Sequence, residues 1–122
     1  MTTLWTAQYR YFGPDRIDIT MKCPKHSIGC AFQPGWDLVM GIKNNTITEN
    51  QYVALYTERM RRSYSTNKAY WDALLQKLEV TLVCFCPAGD FCHRLILGRD
   101  ILGKHFPNVT YKGERIPNGI TW

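Results

Sequence analysis

The sequence predicts a small three-layer α/β domain, a mostly parallel sheet with flanking helices, on three observations. Residues 80–86 read Val-Thr-Leu-Val-Cys-Phe-Cys, almost wholly apolar and β-branched or aromatic, as expected of a strand covered on both faces. Pro87, Ala88 and Gly89 form a turn, Asp90 is placed to cap, and an apolar helix follows, which completes the strand, glycine turn and helix unit of open α/β sheets. Two amphipathic helical stretches precede that strand and supply further layers.

In chain order, residues 4–11 are rich in aromatics and predict a first strand, which the Gly13-Pro14-Asp15 turn ends. Residues 16–22 alternate Ile17, Ile19 and Met21 with polar neighbours and predict a second. Residues 23–35 carry two prolines, two glycines and no period, so they read as a long loop, and loops of that length in compact domains are often functional. Residues 36–43 make a short helix at most. Thr48 and Gln51 have the spacing of a capping box, opening an amphipathic helix to about Tyr64 with Tyr52, Leu55, Tyr56 and Met60 on one stripe. Asn67 starts a second helix over 68–77, with Trp71, Leu74, Leu75 and Leu78 inward. After the strand at 80–86 comes the helix of 91–103, then a short strand at 109–112 and a tail rich in glycine and proline. The whole is a Rossmann-like arrangement in one domain, and 122 residues can bury a core without a metal or disulfide staple.

Lys and Arg number 15 against 10 Asp and Glu, a formal charge of +5, compatible with phosphates, nucleotides or nucleic acid and equally with none of them. The composition excludes a disordered tail. No apolar run approaches the roughly 18 residues of a membrane span, and no charged start with an apolar run opens the chain, so no membrane partner is expected. Three of the five cysteines fall within nine residues, too crowded for a framework of distant disulfides, which points to reduced thiols and a cytoplasmic location.

Residues 84–94 concentrate Cys84, Cys86, Cys92, His93 and Arg94 where a buried strand ends and a helix begins, the end of an open sheet at which ligands bind. Strand alternation puts Cys84 and Cys86 on one face, Cys84 deeper and a core residue, Cys86 at the exit. A helix start offers free N–H groups and a positive dipole end, and Arg94 adds a bidentate donor. The expectation is a phosphate-bearing ligand, nucleotide or nucleic acid, held by Arg94 and the Gly89 turn, with Asp18 and Arg16 on the same sheet edge and His93 as acid or base. Two alternatives stand beside it: a thiol enzyme with Cys86 or Cys92 as nucleophile, and an interaction module whose motif only locks the fold. Arg94 lies eight positions after Cys86, against six in the phosphatase loop, so that cradle is not expected.

A metal site would need Cys86, Cys92 and His93 together with Cys23, His26 or Cys30. Neither spacing matches a familiar zinc knuckle, so no metal is assigned and the cofactor stays unknown. The arginines Arg59, Arg61 and Arg62 read as a solvated helix face, and the aromatics Tyr9, Tyr11, Phe12, Phe32 and Trp36 as core or base-stacking surfaces. No Walker loop or dinucleotide fingerprint is present.

The strand 80–86 followed by Cys92-His93-Arg94 and an apolar helix resembles the signature of the domain of unknown function 488 family. The order of the upstream segments, Tyr9-Arg10-Tyr11 to Lys22, Trp36-Asp37, and Tyr52 to Tyr64 with Met60-Arg61, is similar to that of its small bacterial and phage-borne members. The resemblance implies a single α/β fold, with Cys92, His93 and Arg94 matching the family's Cys-His-Arg and Asp18 a looser match to an early acidic residue. It implies no substrate, and Cys86 is an extra thiol beyond the family pattern.

Overall fold

The computed structural model describes residues 1–85 and 92–115. Four parallel strands form one sheet in the order β2-β3-β1-β4, where β1 is Thr2–Gln8, β2 Arg16–Asp18, β3 Glu79–Cys84 and β4 Val109–Arg115. Every pairing is parallel, so the expected mostly parallel sheet is parallel throughout, and with its flanking helices it fits the small three-layer α/β class. The central strand β1 pairs with β3 from Thr3 opposite Glu79 to Gln8 opposite Cys84. All strand ends therefore point the same way, and the ends of β2 and β3 lie side by side.

β3 forms where its apolar run predicts, and Val80 to Cys84 are buried without exception. It ends at Cys84, two residues before the sequence-based boundary. β2 is much shorter than expected because it is an edge strand paired only to β3, and because Asp18 Oδ1 accepts from both the Thr20 amide, at 2.8 Å, and the Thr20 hydroxyl, at 2.6 Å. That side-chain turn competes with ladder pairing and swings the chain out of the sheet. The loop of residues 23–35 holds one 3-10 turn, Ile28–Phe32.

Helix α1 spans Trp36–Lys43, α2 Glu49–Thr66 and α3 Lys68–Leu75. The capping box at Thr48 and Gln51 is formed on both sides, and Tyr52, Tyr56, Met60 and Ser63 turn the buried face of α2 inward. Tyr56 Oη donates to the Phe32 carbonyl at 2.7 Å and Ser63 Oγ to the Ala31 carbonyl at 2.5 Å, so α2 fixes the 3-10 turn against the core. Asp37 and Arg59 pair through two bonds of 2.7 and 2.5 Å, and Arg59 also donates to the Pro34 carbonyl, which holds α1 to α2.

A fourth helix, α4, opens with an α-helical turn, His93–Leu95, widens into a π-helical stretch, Ile96–Leu102, and closes at Gly103–His105. It begins later than the expected residue 91, and Cys92 before it is extended. Its middle lies hard on the sheet: a Cβ at Gly98 would meet Thr6 Cγ2 at 3.0 Å and Tyr111 Cε1 at 3.3 Å. Such π-helical insertions often accompany functional sites. One large core joins the helices to Leu4, Ile17, Ile19, Val80, Leu82 and Val109, while Ala7 and Val83 pack with Tyr11 and Tyr9 in a second cluster.

Candidate functional site

At the ends of β2 and β3 the chain leaves a cavity of about 390 Å³. This is within the size range of small-molecule sites and at the edge of a parallel sheet where such sites occur. Its lining comes from four places: Thr20, Met21 and Lys22 after β2, Pro34 to Ile42 around α1, Tyr52 of α2, and Cys84, Phe85, Cys92 and His93. The walls are mainly apolar and aromatic. Trp36 and Phe85 are each 55% exposed, an unusual position for large rings, and Phe85 stacks on Tyr9 with ring centroids 4.3 Å apart. Lys22 is exposed, with Nζ 5.8 Å from the Phe85 ring, and brings the cation among the described lining residues.

Three reactive side chains meet in the lining. Cys84, Cys92 and His93 are all buried, and two sulfurs and a ring nitrogen lie within 4.8 Å of one another. The Cys84 and Cys92 sulfurs are joined as a disulfide, while their Cα atoms stand 7.9 Å apart, wider than the usual span of such a bond, and Cys23 and Cys30 are the free cysteines among the described residues. His93 Nε2 lies 2.9 Å from the Ile19 carbonyl. A carbonyl only accepts, so Nε2 carries the ring proton and donates. Burial, reinforced by the neighbouring Arg94 charge, pushes the His93 pKa down to about 4 against the pull of the Ile19 bond and Asp18. The ring is therefore neutral at pH 7, and Nδ1 keeps a lone pair 3.7 Å from the Cys92 sulfur. Tyr56 meets the imidazole edge-on, with ring centroids 5.6 Å apart.

Arg94 is fully buried and is held by Glu114 through two bonds, Nε to Oε1 at 2.9 Å and Nη2 to Oε2 at 3.0 Å. A third donor, Nη1, reaches the Cys84 sulfur at 3.0 Å. The guanidinium thus links the end of β3 to the end of β4 across the intervening β1.

The sequence placed other residues at this site. Cys92 and His93 line the cavity, but Arg94 is not in the lining and spends its bidentate face on a carboxylate. Arg16 turns away: it donates to the Tyr9 and Tyr11 carbonyls and stacks on Tyr9, fixing the loop after β1. Asp18 shapes the turn at Thr20 and is also outside the lining. Cys86 and Gly89 lie outside the described residues. Cys84 is buried in the core, as expected, and is also a member of the cluster, while Glu114 was not singled out at all. Cys23 and Cys30 do not join the cluster but form a second pair, Sγ to Sγ 3.0 Å. Burial and the bond with Cys30 push Cys23 up to about 11; at Cys30 burial acts upward too but is outweighed by bonds from Cys23 and Ser27, which lower it.

The family model of the active DUF488-N3 subclade matches residues 30–105, more than half of the chain. The chain belongs to the DUF488 family. The match runs from within the 3-10 turn through α4, so it contains Cys84, Cys92, His93 and Arg94 and helices α1 to α4 of this DUF488 domain, while Thr20 to Lys22 and Glu114 fall outside it. No curated protein and no solved structure matches the chain. Among the described residues of this DUF488 protein no helix is long and apolar enough to cross a membrane.

Proposed function

We propose that this DUF488 domain is an enzyme acting on a small aromatic ligand that bears a phosphate, a nucleotide in the simplest case, with the Cys84, Cys92 and His93 cluster as its reaction centre. The observation that carries the reading is the meeting of these three groups in a largely apolar cavity at the ends of parallel strands. Trp36, Tyr52 and Phe85 supply faces for a ring, and Lys22 supplies charge for the phosphate, the role that Arg94 is too deeply engaged to fill. Titration of the wild type with nucleoside monophosphates and simple aryl phosphates, followed by tryptophan fluorescence and calorimetry, tests it. A ligand should bind and lose about tenfold affinity, roughly 1.4 kcal/mol, in Lys22→Ala and again in Trp36→Ala. If no compound of the set binds, or if both variants bind as the wild type does, the ligand assignment fails and an interaction module becomes the better account.

A second reading is nucleophilic attack by Cys92. Once the Cys84–Cys92 bond is reduced, it is favoured by the His93 Nδ1 lone pair beside the Cys92 sulfur, which can take the thiol proton. It requires Cys92 to alkylate in the native protein well below the ordinary thiol range of about 8.5. Slow alkylation with an ordinary pH profile removes it.

A further inference from the structure

We infer that Cys84, Cys92 and His93 form a three-ligand site for a thiophilic divalent cation of the zinc class, with its fourth position open to the cavity. The inference rests on the reading of this cluster as the reaction centre and says what the centre is. Two sulfurs and one imidazole nitrogen are a donor set that suits zinc, and three protein ligands with one vacancy distinguish catalytic zinc sites from closed structural ones. In a tetrahedral site, bonds of about 2.3 Å to sulfur and about 2.05 Å to nitrogen put the two donors about 3.6 Å apart. Here Cys92 Sγ and His93 Nδ1 are 3.7 Å apart.

The groups around the donors favour the same use. A ligating histidine usually gives its other N–H to a carbonyl or carboxylate, which fixes its tautomer, and His93 gives Nε2–H to the Ile19 carbonyl at 2.9 Å. Arg94 donates to the Cys84 sulfur, as a partner of a thiolate would, and is itself neutralised by Glu114. Charge balances across the filled site: two thiolates offset the divalent ion, and Glu114 offsets Arg94, so nothing net is buried. The two thiols release two protons on binding. The Cα separation of 7.9 Å lies beyond the usual span of a disulfide, and reduction of the Cys84–Cys92 bond frees both sulfurs to share the ion. The vacancy would face Tyr52, Trp36 and Lys22, where a phosphate oxygen or a water could complete the sphere.

Cobalt(II) titrated into the full, reduced chain is the test, because its absorption reports both the thiolates and the coordination number. The expected result is one ion per chain with charge transfer from two thiolates and intense four-coordinate bands, which shift when inorganic phosphate is added. Cys92→Ser should halve the charge-transfer intensity and weaken binding at least tenfold, while Cys23→Ser/Cys30→Ser, which removes the other thiol pair, should leave the spectrum unchanged. The wild-type spectrum counts the thiolates by itself, so a Cys92→Ser protein that fails to fold leaves the test intact. No uptake of cobalt, or a spectrum lost only in Cys23→Ser/Cys30→Ser, overturns the inference. Aryl phosphate binding without metal uptake would defeat this inference alone; metal uptake without such binding would defeat the ligand assignment alone.

Discussion

Removing Glu114 should expose how much of the fold depends on pairing the buried Arg94 charge. Arg94 is 0% exposed, Glu114 only 15%, and the two bonds between them are 2.9 and 3.0 Å long. Glu114→Ala leaves the guanidinium buried without its carboxylate, a change that costs about 3–5 kcal/mol in comparable buried pairs. The slight exposure of Glu114 lets some water follow the lost carboxylate, which places the expected loss near the lower figure, about 3 kcal/mol. For a domain whose whole stability is about 5–15 kcal/mol, that is a large fraction. Arg94→Met should cost less, about 1–2 kcal/mol, because the remaining Glu114 can turn to solvent while the methionine refills the space. Arg94→Met/Glu114→Leu should then be more stable than Glu114→Ala alone by at least about 1 kcal/mol, the signature of a coupled pair. Urea unfolding with unchanged m-values measures all three. A loss below about 1 kcal/mol in Glu114→Ala, or no recovery in the double variant, would refute the reasoning that the pair neutralises a buried charge.

Gly98→Ala should destabilise by about 1–3 kcal/mol through overpacking, since its new methyl meets Thr6 and Tyr111 on the sheet; thermal melts check it, and no change would mean that the π-helical stretch shifts freely. Tyr56→Phe keeps the ring but leaves the buried Phe32 carbonyl without that donor, for an expected loss of about 1–2 kcal/mol in urea unfolding. Asp37→Asn should cost under about 1 kcal/mol at pH 6, as the pair with Arg59 is largely exposed. The bond with Arg59 holds the Asp37 pKa at about 2, below the ordinary 3.8. Its contribution is therefore present above pH 4 and fades as pH falls through 2, so wild type and Asp37→Asn should converge in stability there.

Which parts of this molecule were legible in its sequence follows from how local their causes are. β3 was plain because a strand buried on both faces must be apolar at every position, and α2 because Thr48 and Gln51 cap it through contacts three residues apart. β2 was overextended because Ile17, Ile19 and Met21 alternate as a strand should, while the Asp18 side chain that ends pairing competes on a finer scale. Cys92 and His93 were singled out from their place at a helix start, and both line the cavity. Alternation correctly sends Cys84 into the core, but its partnership was not legible, because only the return of the chain at Cys92 brings a second sulfur to it. Glu114 carried no local signal: its partnership with Arg94 depends on the sheet order that sets β4 beside β1. Arg94 was recognised as important for its charge, but the sequence could not show that the charge is directed at Glu114 and Cys84.

The central claim is that the cluster of Cys84, Cys92 and His93 faces the ligand cavity. Site-resolved alkylation of the reduced, chelator-treated protein, with and without a saturating aryl phosphate or nucleotide, tests it most directly, with Cys30 in the second thiol pair as internal control. The account predicts that the ligand slows modification of Cys92 and Cys84 and leaves Cys30 unchanged. A ligand that binds while Cys92 and Cys84 react as before, or that shields Cys30 instead, would contradict it.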